Sequence, residues 1–366
     1  MQLRELTRVL EALAPLPYQE SYDNSGLQVG DPEGELTGVL VALDITEAII
    51  DEAVSRGANC VVAHHPVIFK GLKRLTGRTA TERIVLKAIR EGVALYAIHT
   101  NLDNMRNGVN AVLAERLGLQ DTAILAMRTD TLSKLYTFAP KADADKVRDA
   151  LFAAGGGSIG NYTECSYNVE GTGTFKPGED TDPAIGQAGG PRENVDEIKI
   201  EVLVPTHLER KVLAALFEAH PYESVAFEFV RLANPNQDIG AGIIGTLPEP
   251  LESKAFLQML KERVGTQLIR HTAPLGRPIS RVALCGGSGS FLLEEAAGAR
   301  ADAFVTADYK YHQFFDADGR LLIADVGHWE SEQHTIGLLV KHLREKMPNF
   351  AVHSAGTQTN PVSYFY

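Results

Sequence analysis

Cysteine is nearly missing from this chain: Cys60, Cys165 and Cys285 are the only three in 366 residues. They lie far apart and form no CxxC pair, so neither a disulfide framework nor a thiolate zinc ribbon is supported. Basic residues are also short, 35 Lys and Arg against 47 Asp and Glu, for a formal net charge of −12. With no dense Lys/Arg run, nucleic acid and anionic membranes are poor partners. No apolar run approaches the length of a membrane span, and no P-loop is present. The opening segment MQLRELTRVLEALAPL carries acidic residues and lacks a signal-peptide core. It reads instead as an amphipathic helix with Leu3, Leu6, Val9, Leu10 and Leu13 on one stripe. A cytoplasmic protein is expected. What remains is ordinary for a globular chain, 44% hydrophobic and 22% charged, and the length suggests two or three units.

From Leu36 to Ala111 strands and helices alternate. Residues 38–43, 60–63 and 93–98 are apolar strands; residues 46–55 and 81–91 are helices closed by Gly57 and Gly92. Such alternation argues for a parallel sheet covered on both faces. The C-terminal part repeats the pattern: strand 281–285, a glycine-rich turn (Gly286, Gly287, Gly289), a helix around 291–297 and strand 303–306. Set in step, with a two-residue slip, the two parts bring Asp308 opposite His65, and two such halves would face each other across a cleft.

The middle differs. Lys134 to Pro140 recurs as Lys199 to Pro205 at an offset of 65 residues, with eight identities in about twenty positions. A duplicated β-α-β unit makes a ferredoxin-like α+β insert. The expected fold is therefore α/β, two related halves forming a cleft with an inserted ferredoxin-like domain. The boundaries are 1–129, 130–234 and 235–366. Gly155 to Gly157 and residues 176–194 read as loops.

Five residues carry the candidate chemistry. His64 and His65 follow the apolar run 60–63, and Pro66 keeps His65 out of helical geometry. Two imidazoles thus stand where the chain leaves the sheet, the usual ligand position in open α/β sheets. Asp103 follows the strand 93–98 and leaves the same edge. His328 and Glu332 follow strand 321–324 and open a helix running through Ile336, Leu339 and His342, on one face at i and i+4. Each cluster alone has a bland reading: one core and one surface histidine, a turn aspartate, a solvated first helical turn. Together they supply three imidazoles and two carboxylates, too many for one structural zinc. The set suits two divalent ions, with Zn, Mn, Fe, Co and Ni all compatible. His99 is expected to orient a ligand or water, and Asp308 and His312 to move protons. Asp44 is similarly placed at a strand end. Asn24 and Ser25 suit either a cavity wall or a turn, and Trp329 suits packing. His207, His220 and His271 read as surface or loop histidines.

The segments DNSGLQVG (23–30), AHHP (63–66), HTNLD (99–103), TADYKYH (306–312) and GHWESE (327–332) resemble the Nif-three-like family. Its members are commonly called GTP cyclohydrolase 1 type 2 homologues. The five motifs span both outer regions, and the middle resembles the PII/CutA-like insert of the longer bacterial members. The resemblance implies a dinuclear metal site at His64, His65, Asp103, His328 and Glu332, and a toroidal homohexamer. It also implies a small-molecule substrate, nucleotides included, for a metal-dependent hydrolase, with opening of the GTP purine ring as one such reaction. The competing expectation is a non-catalytic, metal-binding assembly whose insert senses a small molecule.

Overall fold

Four short apolar strands, Ala94–Ala97, Cys60–Ala63, Val39–Ala42 and Val352–Ser354, lie side by side and parallel in the computed structural model, which describes residues 1–365. Gly26–Val29 joins their edge antiparallel to Ala94–Ala97. Alternate residues serve opposite faces. Val39, Val41, Cys60, Val62 and Tyr96 pack under the helices Leu3–Leu13 and Thr335–Lys346. Leu40, Val61 and Leu95 pack under Glu47–Ser55 and Ala80–Glu91. The first helix buries Leu3, Leu6 and Leu10 of its expected stripe, each contributing roughly 1.5–3 kcal/mol by leaving water. Thr46 and Thr79 cap the two opposite helices by accepting the N–H of Ile49 and Glu82. Register then fixes where the site is built. Ala42 pairs with Ala63, and Ala63 with Ala97. Asp44, His65 and His99, each two residues further on, therefore leave one edge together.

The second sheet has six strands in the order Arg270–His271, Leu322–Asp325, Ala303–Ala307, Ile279–Ser288, Gly240–Leu251 and Gln120–Met127. Its second, third and fourth strands run parallel and the outer pairings are antiparallel. The two sheets thus share a parallel centre, which is why the two sequence segments run in step. The strands Gln120–Met127 and Gly240–Leu251 have no clear sequence signal: polar residues open the first, and glycines and prolines break the apolar run of the second.

Both sheets belong to one compact unit, Met1–Met127 with the residues from Gln237 onward, and Arg128–Asn236 forms a second. In the second unit the strands run in the order Ser166–Phe175, Glu193–Pro205, Leu132–Pro140 and Phe227–Leu232, all antiparallel. The helices Ala144–Ala153 and Glu209–Ala219 pack on this sheet. The internal repeat is explained by that core: Val147 and Leu151 in one copy, and Val212 and Leu216 in the other, are fully buried.

Three expectations are corrected. Glu193 and Asn194, read as loop, begin a strand because they continue the ladder opposite Phe175 and Thr174. The helix opened by His328 is interrupted: His328–Glu332 and Thr335–Lys346 flank a tight turn at which both Gly337 and Leu338 bond to the His334 carbonyl. His220 keeps a loop position, just past Glu209–Ala219, but is buried rather than on the surface. Among the described residues no helix is long and apolar enough to cross a membrane.

Candidate metal centre

His64, His65, Asp103, His328 and Glu332 come together at the ends of strands from both sheets. His64 is fully buried, and its Nδ1–H donates to the Ile98 carbonyl at 2.9 Å. Its Nε2 therefore carries the lone pair and lies 3.6 Å from Asp103 Oδ1 and 3.8 Å from Glu332 Oε1. His65 Nδ1 donates to Asp44 Oδ1 at 2.7 Å, and His328 Nδ1 donates to Asp308 Oδ2 at 2.7 Å. In both rings the Nε2 again faces inward, 3.0 and 3.1 Å from Glu332 Oε2 and 3.3 Å from each other. Orienting carboxylates behind histidines are what metal sites use to fix the ligand tautomer.

Three imidazole lone pairs and two carboxylates aimed at one another repel unless a positive charge lies among them. His64 Nε2, Asp103 Oδ1 and Glu332 Oε2 are buried with no hydrogen-bond partner among the described residues. The donor set fits divalent cations. Two triads could each hold an ion, His65–His328–Glu332 and His64–Asp103–Glu332, with Glu332 common to both; His99 joins a third group with His64 and His65.

The electrostatics carry the same demand for cationic charge. Burial disfavours protonated His65, but Asp44 and Glu332 outweigh it and raise its pKa to about 10. Burial likewise opposes charge on His328, while Glu332 and Asp308 lift it to about 9. At His64 burial prevails and the pKa falls. Burial, reinforced by the neighbouring Glu332 carboxylate, raises Asp103 well above the ordinary range. Burial would raise Glu332 too, yet the close approach of the His328, His64 and His65 rings holds it well below.

Local backbone makes this packing possible. Gly287 has φ of +62°, and a Cβ there would stand 2.3 Å from Glu332 Oε1. Its N–H donates to Ser331 Oγ, which locks the glycine turn to the helix bearing Glu332. Asn110 bridges the two sheet ends, accepting from Gly286 N and donating to the Asp103 carbonyl. Asp308 adopts φ of +58°, a left-handed conformation that Asp tolerates better than most L-residues.

Of the other candidates, His99 stands beside the cluster. Its ring centroid is 5.2 Å from that of His64 and 5.4 Å from that of His65, and its Nδ1 donates to Asp23 Oδ1 at 2.7 Å. Burial would raise Asp23, but bonds from His99 and Thr100 hold it far below the carboxylate range. Asp308 touches His328. His312 is not brought to the donors: it is exposed on the turn Tyr311–Ala317 with its ring against Tyr311 and Phe315. Ser25 donates its hydroxyl to Asp23, and Asn24 donates to the Ile68 carbonyl. Trp329 lines a cavity of about 450 Å³ that also contains Asp44, Asp308 and Arg270. A second cavity of about 450 Å³, on the side of Asp103 and Glu332, is lined by Tyr22, Phe69, His99 and Phe291.

Sequence reasoning missed Asp23 and Thr359. Asp23 opens the DNSGLQVG motif, in which nothing signals a partner 76 residues away. Thr359 donates its hydroxyl to Asp44 Oδ2 at 2.6 Å, from a tail held by Gly356 and Thr357 N–H groups on Glu52. Nothing local marks that threonine, since its partner lies 315 residues away.

Comparison with known proteins agrees with this architecture. Residues 1–361 match the family model Duf34/NIF3 (NGG1p interacting factor 3). A Halalkalibacterium halodurans protein named GTP cyclohydrolase 1 type 2 homolog is 39% identical over 363 residues, covering 98% of this chain and 97% of the relative. The Bacillus subtilis protein of the same name is 33% identical over 366 residues, covering 99% and 98%. A Bacillus cereus crystal structure, of a protein related to NIF3, superposes with a TM-score of 0.87 at 37% identity, covering 100% of this chain and 99% of that one. The chain belongs to the DUF34/NIF3 family.

Proposed function

We propose that this protein is a dinuclear, divalent-metal-dependent hydrolase. One observation carries the reading: three imidazole Nε2 lone pairs and two carboxylates converge while Ile98, Asp44 and Asp308 hold the ring protons on the far side. His65, His328 and Glu332 would hold one ion, and His64, Asp103 and Glu332 the other. When bound, such ions lower the pKa of water and polarise a carbon or phosphorus electrophile. The chain's own residues do the rest. Asp44 and Asp308 keep His65 and His328 in the ligating tautomer, and Asp308, half-exposed on the cavity side, is placed to pass protons to solvent. The relatives' names add opening of the GTP purine ring as one specific reaction.

Elemental analysis after loading with Zn, Mn, Fe, Co or Ni tests the centre. Glu332→Gln should lose most of the bound metal, because both triads share this residue; unchanged stoichiometry would contradict the assignment. Formate release from GTP, and phosphate or amine release from a substrate panel, tests the chemistry. Metal-replete protein inert on all of them removes the hydrolase reading and leaves a metal-binding protein.

A non-catalytic sensing role is favoured by a separate observation. The Arg128–Asn236 unit has its own cavity of about 430 Å³, with Phe138, Phe175 and Tyr222 in its wall. Loss of a ligand response in Tyr222→Ala, with metal content intact, would support it. Homohexameric self-association follows from family resemblance, and the exposed aromatics Tyr311 and Phe315 suit a subunit contact; light scattering tests the mass.

A further inference from the structure

The open face of the sheet in the Arg128–Asn236 unit carries a carboxylate set among aromatic rings. Pro140 and Gly171 both pair with Glu197, and side chains alternate between faces along each strand. Phe138, Phe175 and Glu197 therefore share one face, while Leu135, Ala139 and Ile200 turn to the other and are fully buried under the helices. Tyr222, from the loop after Glu209–Ala219, completes the group. Its ring lies 5.8 Å from that of Phe175 at 62°, and its hydroxyl donates to Glu197 Oε1 at 2.9 Å. These residues form an aromatic wall around a cavity of about 430 Å³, within the span of small-molecule sites.

The backbone makes room for the carboxylate: a Cβ at Gly173 would overlap Glu197 Oε2. The tyrosine hydroxyl thus fixes one oxygen and the glycine leaves space for the other. The charged groups nearby are otherwise engaged. Glu223 accepts the Asp182 N–H at 3.1 Å, which ties the loop after Phe175 to the loop bearing Tyr222. His220 uses both ring nitrogens, on the Phe138 carbonyl and the Tyr222 N–H. Lys199, on the same face, pairs with Glu201 at 2.8 Å. Lys176 also lines the cavity, as an exposed residue. Among the described residues no cationic side chain bonds to Glu197, whose partner is the Tyr222 hydroxyl. A half-buried carboxylate among ring faces attracts a cation in two ways, by charge-assisted hydrogen bonding and through the ring quadrupoles.

We propose that this cavity binds a small organic ammonium ion with an apolar body, its N–H groups on Glu197 and its body against Phe138, Phe175 and Tyr222. Where the ligand is a free amino acid, Lys176 meets its carboxylate. The regulatory meaning of the site rests on the sensing reading of this unit, for which it names the ligand class.

Phenethylamine, free phenylalanine and hydrocinnamate share a ring and differ in charge. Equilibrium dialysis of the full-length protein should retain phenethylamine and reject hydrocinnamate, which lacks the ammonium group. Glu197→Gln keeps the shape of the side chain and can still accept from Tyr222, so the fold is preserved, and the melting transition of the unit checks this. Its retention of phenethylamine should fall about tenfold or more, as expected for losing a hydrogen bond to a charged group. Phenylalanine retention that falls in Lys176→Met makes the ligand an amino acid, and phenethylamine retained alone makes it a simple amine; either supports the site. Wild type that retains neither ammonium compound, retains hydrocinnamate equally, or is matched by Glu197→Gln overturns it. The rate at which a chelator strips metal from the loaded protein keeps the two readings apart. Phenethylamine bound through Glu197 with that rate unchanged supports the ammonium site and defeats the sensing role. Hydrocinnamate bound through Tyr222 and altering the rate keeps the sensing role and defeats the ammonium site.

Discussion

Thr359 shows how far from the donors the tuning of a ligand can begin. Its hydroxyl holds Asp44 Oδ2, and Asp44 Oδ1 holds the proton of His65 Nδ1. Thr359→Ala frees Asp44 to turn, so His65 loses part of its orientation. The expected result is a fall in metal affinity of about tenfold, the lower end of outer-partner effects, measured by competition with a chelating dye. Thr359→Ser should restore it. Gly287→Ala is a harsher change. The new Cβ would need to occupy space 2.3 Å from Glu332 Oε1 at a φ of +62°. The left-handed backbone alone costs about 1–2 kcal/mol, and Glu332 must move as well. Lower melting temperature together with lost metal is expected; a variant matching wild type in both would show that the turn adapts freely. At this scale the sequence was partly legible. His64, His65, His328 and Glu332 announce themselves through strand ends and i, i+4 spacing. Asp23, Thr359 and the aromatic wall do not, because their roles arise only from partners that folding brings near.

Within single elements, legibility followed the purity of the pattern. Cys60–Ala63 has the bounds read from its apolar run, since a strand buried on both faces needs nothing but apolar residues. Gln120–Met127 was invisible, being an edge strand half in water. The helix after His328 breaks at Gln333–His334, which no periodicity signals. His220, at the end of Glu209–Ala219, makes a pH prediction. Its Nε2–H donates to the Phe138 carbonyl and its Nδ1 accepts from the Tyr222 N–H, an arrangement only the neutral ring can make. Burial lowers its pKa from the ordinary value of about 6.5. As pH falls below that value the unfolded chain takes up the proton first, so stability present above it is lost as pH falls through the folded-state pKa. The melting temperature of the Arg128–Asn236 unit should therefore drop between pH 7 and 5. His220→Asn should flatten that slope; an unchanged slope would assign it to other groups.

Across the whole molecule, the donors belong to only one of the two compact units. Metal should raise the unfolding temperature of that unit and leave the transition of Arg128–Asn236 where it was. At a free ion concentration a hundredfold above Kd, the gain is about 2.7 kcal/mol, readable by calorimetry with and without chelator. Equal shifts in both transitions would show that the ion acts beyond its own unit. The division into a doubled α/β part and a repeated middle was visible in sequence because duplication leaves its mark on buried positions such as Val147 and Val212.

The span from His64 to Glu332 has a kinetic meaning. Neither of the triads that share Glu332 is complete until the chain has run past Leu322–Asp325, more than two hundred residues after His64 and His65. An ion held by those triads would therefore not seed the fold as it does in a zinc finger, whose ligands sit close together. An ion held there would arrive last, at a finished cradle, with its identity set by what the surroundings offer at that moment.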